Sequence, residues 1–326
     1  MENQENKDKP DVNIVIPLYN EQDVFGTLVE RLDKLILGSS LDIEVIFVDD
    51  GSTDQTPQLL EQLSLNNESY QSIFLSRNFG QQFAVTAGLK YVNAKEVVLL
   101  LDGDLQDPPE ALESFYKYYK KGYDVVYAIR TNRKESWLKK AGYSMFYYLL
   151  KRTANISIPI NSGDFSLISR RVVDHMNKMN EESRFVRGLR SWVGFRQIGI
   201  EIERDHRYSG KSKYSFKKLF ILGLNGLFNF SEFPLRFVFT LGFLTLLVSL
   251  AYFAYTLFLK LVYDATPQGF TALLFTIILF GGLQLISLGL IGSYVLRIFF
   301  QVKNRPLFIV KNRIRRKKTL GKENNF

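Results

Sequence analysis

Two long segments near the C-terminus contain no charged residue, and they restrict the possible folds more than any other feature of the sequence. The first, 237–259, has 23 residues, and the second, 269–296, has 28 residues. A helix of about 20 apolar residues crosses the hydrocarbon core of a bilayer. We therefore expect two transmembrane helices, which place both ends of the chain on the same side of the membrane.

The distribution of positive charge predicts which side that is. Residues after 296 are rich in lysine and arginine, whereas the loop 260–268 has one lysine and one aspartate. Segments rich in Lys and Arg stay in the cytoplasm, where anionic lipid attracts them. The pattern predicts an integral plasma (inner) membrane protein whose N-terminal domain and two termini are cytoplasmic. It favours lipid over nucleic acid as the partner of a chain with net charge +9.

The residue types restrict the kinds of site that the chain can build. There is no cysteine and there are two histidines, so disulfides, thiol chemistry and a zinc cluster are not expected. Residues 1–10 are polar and charged, without the apolar region of a cleaved signal peptide. Gly282, Gly289 and Ser293 recur near helical spacing, which predicts close helix packing within the chain or in a homo-oligomer.

Residues 11–213 alternate between short apolar runs and amphipathic segments, a pattern typical of a mostly parallel α/β sheet. No glycine-rich phosphate loop follows the first strand, which argues against a dinucleotide fold or a P-loop kinase. Ligands bind such sheets at the carboxyl ends of the strands. The expected strands are 12–17, 43–48, 72–75, 97–101 and 125–129.

The strand 97–101 is followed at once by the carboxylates of Asp102 and Asp104. Two carboxylates so close together repel each other, and a divalent cation relieves the repulsion. Gln106 adds a neutral oxygen, and Asp107 is predicted to cap the next helix. Turns also use Asp-x-Asp, so the tripeptide alone leaves a plain turn as the alternative. The buried strand before it favours a hard-cation site.

Four strand ends carry polar clusters. Each alone is compatible with ordinary turn chemistry. Together they line one edge of the sheet with acids, amides and tight backbone, which predicts a nucleotide pocket. The clusters are 19–21, 49–52, 77–80 and 102–104.

These motifs, in their order along the chain, resemble the GT-A fold of family 2 inverting glycosyltransferases. The two apolar segments make the chain similar to polyisoprenyl-phosphate glycosyltransferases, which include bactoprenol glucosyltransferases and dolichol-phosphate mannose synthases. The resemblance covers nearly all of the chain. The motifs are Pro17-Leu18-Tyr19-Asn20-Glu21, Val48-Asp49-Asp50-Gly51-Ser52-Thr53-Asp54, Arg77-Asn78-Phe79-Gly80 and Leu101-Asp102-Gly103-Asp104-Leu105-Gln106-Asp107-Pro108-Pro109.

The resemblance implies an α/β fold of the GT-A type, a Rossmann-like and mostly parallel sheet, followed by an interfacial helix and two transmembrane helices. The apolar face of 214–232 suits a helix lying on lipid headgroups, although packing against the catalytic domain is the alternative. The expected domains are a disordered N-terminus (1–10), a cytoplasmic GT-A catalytic domain (11–213), an interfacial amphipathic helix (214–232), two transmembrane helices (233–300) and a basic cytoplasmic tail (301–326).

The resemblance also implies the donor site. Base and ribose would be held by Pro17, Tyr19, Glu21 and Asp50, and the same pocket would be lined by Asn78 and Gly80. Mg²⁺ or Mn²⁺ and the donor diphosphate would be surrounded by Asp102, Asp104 and Gln106. A basic loop that closes over the donor would bring Arg207 and Lys211 to the phosphates.

The acceptor of such a reaction needs a positive site near the membrane, and the basic residues after strand 125–129 predict a clamp on the lipid phosphate. The clamp would be formed by Arg130, Arg133, Ser136 and Lys139; a solvated basic helix is the alternative. Asp164 resembles the carboxylate near the transferred sugar, and with Asp104 it forms the expected catalytic pair. A phosphate nucleophile is already largely ionised, with a second pKa of about 6. Asp164 is therefore either a base or a group that orients the sugar.

The implied reaction moves one hexose, with glucose from UDP-glucose as the first choice, onto undecaprenyl phosphate, for O-antigen or cell-envelope glycosylation. GDP-mannose or a UDP-linked modified arabinose is the alternative donor. A membrane-anchored scaffold that binds sugar nucleotides without turnover is the alternative of another class. The segment 184–192 resembles the acceptor-side helix of processive polysaccharide synthases, but their Gln-x-x-Arg-Trp motif and extra spans are missing. Single-sugar transfer is therefore favoured.

Overall fold

The computed structural model describes residues 9–130, 162–182, 184–202, 233–263 and 269–320. The chain divides into two compact units. The first comprises Met1–Lys151, Ile156–Gly223 and Pro306–Phe326, and it contains the sheet. The second comprises Arg152–Asn155 and Leu224–Arg305, and it contains the two long apolar helices.

The described strands of the first unit form one mixed sheet of nine strands, in the order β7-β5-β6-β4-β1-β2-β3-β8-β9. All five predicted strands are present, and the α/β fold class is confirmed. The strands are β1 (Val12–Leu18), β2 (Ile43–Asp49), β3 (Tyr70–Leu75), β4 (Val97–Leu100), β5 (Val125–Arg130), β6 (Ser162–Ser169), β7 (Gln197–Ile202), β8 (Val310–Arg315) and β9 (Lys318–Leu320).

The centre of the sheet is parallel. Strand β1 pairs in parallel with β2 and β4, and β2 pairs in parallel with β3. Every residue of β2, β3 and β4 is buried, as expected for parallel strands covered on both faces. Strand β6 lies antiparallel between β4 and β5. This insertion brings a later part of the chain next to the strand that precedes Asp102.

Helices connect the strands and follow the predicted amphipathic pattern. In the first helix, the side chains of Leu28, Leu32 and Leu35 are buried. The helices of this unit are α1 (Gln22–Gly38), α2 (Thr56–Asn66), α3 (Gln81–Lys90), α4 (Ala111–Lys120), α5 (Arg170–Lys178) and α6 (Val186–Trp192).

The predicted cap at Asp107 was wrong. Helix α4 begins at Ala111, and Glu110 occupies the N-cap position. A proline disfavours the helical conformation of the residue before it. Pro109 therefore keeps Pro108 out of the helix, and the first turn starts only after both prolines.

The second unit contains α7 (Phe233–Tyr263, 31 residues) and α8 (Phe270–Lys303, 34 residues). Both are long and apolar enough to cross a membrane, as the sequence predicted. Their apolar side chains are largely exposed, with Phe239, Leu261 and Val302 each at 76% of their full accessible surface. Helices that are apolar all round need a non-aqueous surrounding, so α7 and α8 are candidate membrane spans.

Strands β8 and β9 follow α8 and form an antiparallel hairpin on the edge strand β3. The turn residues Arg316 and Lys317 have φ of 50° and 59°, which suits the tight two-residue turns of hairpins. Arg315 donates to both carboxylate oxygens of the buried Glu44, at 2.7 and 3.0 Å. Part of the basic segment 301–326 is thus built into the sheet, which the charge pattern did not predict.

Replacing Arg315 by methionine should lower the melting temperature of the detergent-solubilised protein by about 5 °C. The substitution keeps the aliphatic contacts but leaves the carboxylate of Glu44 buried without its bidentate partner, which costs about 2 kcal/mol. The matched control is Lys317→Met. Lys317 makes an exposed ion pair with Glu68 at 3.7 Å, and such pairs contribute about 0–1 kcal/mol. Equal effects of the two substitutions would contradict a stabilising role for the hairpin contact.

Candidate functional site

The loops after β2 and β3 meet at Asp50, directly after the end of β2. One oxygen of the Asp50 carboxylate accepts the N–H of Phe79 at 2.8 Å, and the other accepts the N–H of Gly80 at 2.9 Å. Burial raises the pKa of Asp50, and the two N–H donors oppose that shift. A Cβ atom on Gly51, which has a φ of 68°, would lie 2.5 Å from the carbonyl carbon of Arg77. Glycine is therefore required where the two loops touch.

The loop after β1 is bonded to the loop after β2. The side-chain oxygen of Asn20 accepts the N–H of Thr53 at 2.8 Å, and the N–H of Asn20 donates to Ser52 Oγ at 2.9 Å. The N–H of Glu21 donates to Thr56 Oγ1 at 3.1 Å. The structure thus places the expected donor-site residues at the carboxyl ends of three adjacent parallel strands. These residues are Pro17, Tyr19, Glu21, Asp50, Asn78 and Gly80.

The carboxylates of Asp102 and Asp104 follow the end of β4. Asp102 Oδ1 accepts from the side-chain amide of Gln81 at 2.8 Å, and Asp104 Oδ1 accepts the backbone N–H of Gln106 at 3.2 Å. A Cβ atom on Gly103 would lie 2.3 Å from Leu18 Cδ2. The glycine between the two acids therefore allows their turn to lie directly against the end of β1.

The oxygen ligands of this turn fit a hard divalent cation. Within the described residues, no cluster of three or more His, Cys, Asp or Glu side chains forms a complete protein cage. Mg²⁺ does not need such a cage, because it keeps several waters and takes one or two carboxylates together with substrate phosphates. Asp102, Asp104 and Gln106 are the residues that would hold it.

Asp164 on β6 lies at the same end of the sheet. The antiparallel ladder between β4 and β6 ends at the pair of Leu100 with Ser166. Asp102 and Asp164 each lie two residues beyond that pair, at the same end of the sheet. Arg187 Nε donates to Asp164 Oδ1 at 2.8 Å, and Gln82 Nε2 donates to Asp164 Oδ2 at 3.1 Å. The side chain of Asp164 is 11% exposed. The carboxylate is thus fixed on both oxygens and largely shielded from water.

The side chains of Gln81 and Gln82, at the start of α3, connect the two acidic positions. Gln81 donates to Asp102 and Gln82 donates to Asp164. Gln82 Oε1 also accepts the N–H of Val186 at 2.9 Å, which attaches the start of α6 to the site. One helix end therefore orients carboxylates from β4 and β6.

The sequence did not assign Gln81, Gln82 or Arg187 to the site. The available signals were two adjacent amides directly after the Arg77–Gly80 motif and a basic segment at 184–192. Neither signal specifies a partner, because the partners lie on strands far away in sequence.

Of the four residues expected to bind the acceptor phosphate, Arg130 is the last residue of β5, where its backbone pairs with Ile202.

Several other predicted residues lie outside the described part of the chain. The interfacial helix expected over 214–232 and residues 1–8 lie outside it. The remaining predicted positions that are not described are Arg133, Ser136, Lys139, Arg207 and Lys211.

Comparison with known proteins finds sequence similarity to glycosyltransferases over most of the chain. The family described as Glycosyl transferase family 2 matches residues 13–176. The uncharacterized glycosyltransferase YkcC of Bacillus subtilis (strain 168) is 42% identical over 92% of this chain and 93% of its own length. The bactoprenol glucosyl transferase of Shigella phage SfII is 33% identical over 92% of this chain and 97% of its own length. The crystal structure of S. aureus TarS 1-349 in complex with UDP-GlcNAc aligns with 67% of this chain and 66% of its own, at 19% identity and a TM-score of 0.45.

Proposed function

We propose that this chain, which belongs to glycosyl transferase family 2, transfers one hexose from a nucleotide-sugar donor to a polyisoprenyl phosphate at a membrane surface. One observation carries the proposal. The start of α3 holds Asp102 and Asp164 at one edge of the sheet, in a chain with two candidate membrane spans. That edge offers a place for the donor diphosphate beside a carboxylate that faces the sugar.

The donor occupies the edge formed by the ends of β1, β2, β3 and β4. The buried Asp50 and the tight loops around it line the part that receives the base and ribose. Asp102, Asp104 and Gln106 are the residues that would hold Mg²⁺ or Mn²⁺. The cation would supply positive charge to stabilise the departing nucleoside diphosphate.

The acceptor phosphate attacks the anomeric carbon from the side opposite the diphosphate. A bond forms between a phosphate oxygen and the anomeric carbon, and the bond to the diphosphate breaks with its electron pair leaving on the nucleotide. The phosphate is already ionised, so no base is needed to activate it. Asp164 orients the sugar and stabilises the positive charge that develops at the anomeric carbon. In-line attack inverts that carbon, so an α-linked donor gives a β-linked product.

Glucose from UDP-glucose and undecaprenyl phosphate are the substrates that we favour. Support comes from relatives named bactoprenol glucosyl transferase, which are 32–33% identical over more than nine-tenths of the chain. The basic residues after α8 support a catalytic unit on the cytoplasmic face of the inner membrane. The product would serve O-antigen or cell-envelope glycosylation.

A donor panel tests the substrate assignment. The full chain in detergent is incubated with undecaprenyl phosphate, Mg²⁺ and radiolabelled UDP-glucose, GDP-mannose or UDP-linked modified arabinose, and the lipid fraction is counted. We expect label in the lipid only with UDP-glucose, and none when the lipid phosphate is omitted. Product only with another donor would overturn the choice of glucose. If none of the three donors gives labelled lipid, transfer would be overturned and a binding scaffold supported.

A further inference from the structure

The segment that follows α8 lies against the end of β3, where the loop to α3 begins. Helix α8 ends at Lys303, and the chain from Pro306 onward belongs to the unit that contains the sheet. We propose that Phe308 and Ile309 are positioning residues for the donor loop, defined as residues 76–80, and that donor affinity depends on them. The inference rests on the proposed function, because it concerns binding of the nucleotide. It extends the donor site to residues that follow both long helices in the chain.

A backbone hydrogen bond holds the donor loop from the side of β8. Strand β8 pairs with β3 as far as Leu75, whose partner is Val310. The N–H of Ser76, the first residue of the donor loop, then donates to the carbonyl of Ile309 at 2.9 Å. The pairing thus continues to the residue directly before the Arg77–Gly80 motif, and it fixes the point at which the loop leaves the sheet.

An irregularity in β8 lies directly before the donor loop. The pairing of β3 with β8 shifts between Phe74 and Leu75. Lys311, between the two partners on β8, is therefore an extra residue at this step. Insertions of this kind bend a strand, and they are frequent beside functional sites, where they redirect the chain. The bend lies where β8 passes from the sheet to the donor loop.

The side chain of Phe308 contacts the end of the helix that follows the donor loop. Phe308 is 7% exposed, and Nζ of Lys90, the last residue of α3, lies 5.8 Å from the centre of its ring. This distance is within the range of a cation–π contact. The guanidinium carbon of Arg313 on β8 lies 4.7 Å from the centre of the ring of Tyr91, the residue after α3. The segment after α8 thus contacts both the start of the donor loop and the end of α3.

The donor loop is therefore held from two directions. From the side of β2, Asp50 accepts the N–H groups of Phe79 and Gly80, and Gly80 is the N-cap of α3. From the side of β8, the loop is held by its backbone bond to Ile309. A loop that is ordered before the ligand arrives loses less conformational entropy on binding. Loss of the Phe308 side chain should therefore lower donor affinity without removing a group that contacts the donor.

Ile314 of β8 is the matched control for Phe308. It is fully buried, and its partner on β3 is Ser72, at the opposite end of the paired stretch from the donor loop. Truncation of either side chain leaves a cavity and lowers stability. If β8 merely stabilises the edge of the sheet, the two truncations affect the donor loop equally. If the segment positions the loop, the truncation of Phe308 has the larger effect.

Calorimetric titration of the full chain in detergent with UDP and Mg²⁺ tests the proposal. In Phe308→Ala we expect Kd to rise about tenfold, the change that results when the binding-competent conformation of the loop falls to about one-tenth of its population. Ile314→Ala should lower the melting temperature at least as much, yet change Kd by less than about twofold, because it lies away from the loop. Phe308→Leu, which keeps most of the buried volume, should bind UDP like the wild type.

An unchanged Kd in Phe308→Ala, or equal increases in the two alanine variants, would overturn the proposal. If either alanine variant does not fold, Phe308→Val and Ile314→Val provide the same comparison with a smaller loss of stability. If the wild type does not bind UDP, the titration is run with GDP, which separates an error in the choice of base from an error about the loop.

Hydrogen exchange of the ligand-free protein tests the same coupling without any donor. The amides of Phe79 and Gly80 are bonded to Asp50, so peptides that cover 76–83 report on the order of the loop. In Phe308→Ala these peptides should exchange about tenfold faster than in Ile314→Ala, because local opening needs less than global unfolding. Equal exchange in the two variants would overturn the proposal. If the wild type binds neither nucleotide and transfers no sugar, the proposed function fails, while the exchange rates still decide whether Phe308 positions the loop.

Discussion

Replacing Asp164 by asparagine should lower the turnover number by about 100- to 1,000-fold, because removal of one positioned group that stabilises transition-state charge has effects of this size. Asparagine has nearly the same shape and keeps an oxygen that can accept the hydrogen bond from Arg187 or Gln82. It lacks the negative charge that, in the proposed mechanism, faces the anomeric carbon. In the proposed site the nucleotide end of the donor lies at the ends of β1 to β3, away from Asp164, so donor affinity should change by only a few-fold.

Single-turnover rates and donor binding, measured separately on the same preparation, decide this prediction. The control is Asp174→Asn, the same chemical change at an exposed acid of α5 that pairs with Arg170 at 2.8 Å. The control should retain wild-type turnover. Unchanged turnover in Asp164→Asn would remove Asp164 from the mechanism, and a parallel loss of donor binding would show that it acts on the ground state.

Chelation of divalent cations with EDTA should abolish transfer, and added Mg²⁺ or Mn²⁺ should restore it. The reason is that the leaving diphosphate develops negative charge that the described side chains around Asp102 do not balance by themselves. Asp102→Asn should lower transfer by about 100-fold or more, since Lewis-acid stabilisation contributes several kcal/mol. It should also raise the metal concentration needed for half of the maximal rate.

The metal titration is run on Asp102→Asn beside Glu113→Gln, a change at an exposed acid in the first turn of α4. Glu113→Gln should give the wild-type metal dependence. Full activity in EDTA would show that no divalent cation takes part. A wild-type metal dependence in Asp102→Asn would assign the cation to other residues.

The sequence predicted the part of the site that depends on local pattern. Strand β4 is a continuous apolar run, and β2 is apolar except for Glu44 and Asp49. The polar groups after them could be assigned to one edge because parallel strands share that edge. The position of Asp164 at the same end of the sheet as Asp102 could not be predicted from pattern. It depends on the antiparallel insertion of β6 between β4 and β5, which is a long-range pairing.

The amides of Gln81 and Gln82 were missed for a related reason. Amide side chains are as common on solvent-exposed helix surfaces as in sites, and nothing in their spacing names a carboxylate partner. Strand β8 was missed because its lysine and arginine residues were attributed to lipid. Charged residues are, however, typical of strands near the edge of a sheet, and the apolar Val310 and Ile314 alternate with them.

The hairpin after α8 has a consequence for the biogenesis of the protein. Glu44 finds its partner Arg315 271 positions later in the chain, so the outer edge of β3 is left uncovered until β8 has been synthesised. A chain that ends before β8 therefore exposes the unpaired edge of β3, and such an edge promotes aggregation. Completion of the sheet is therefore coupled to synthesis of both long helices, which precede β8 in the chain.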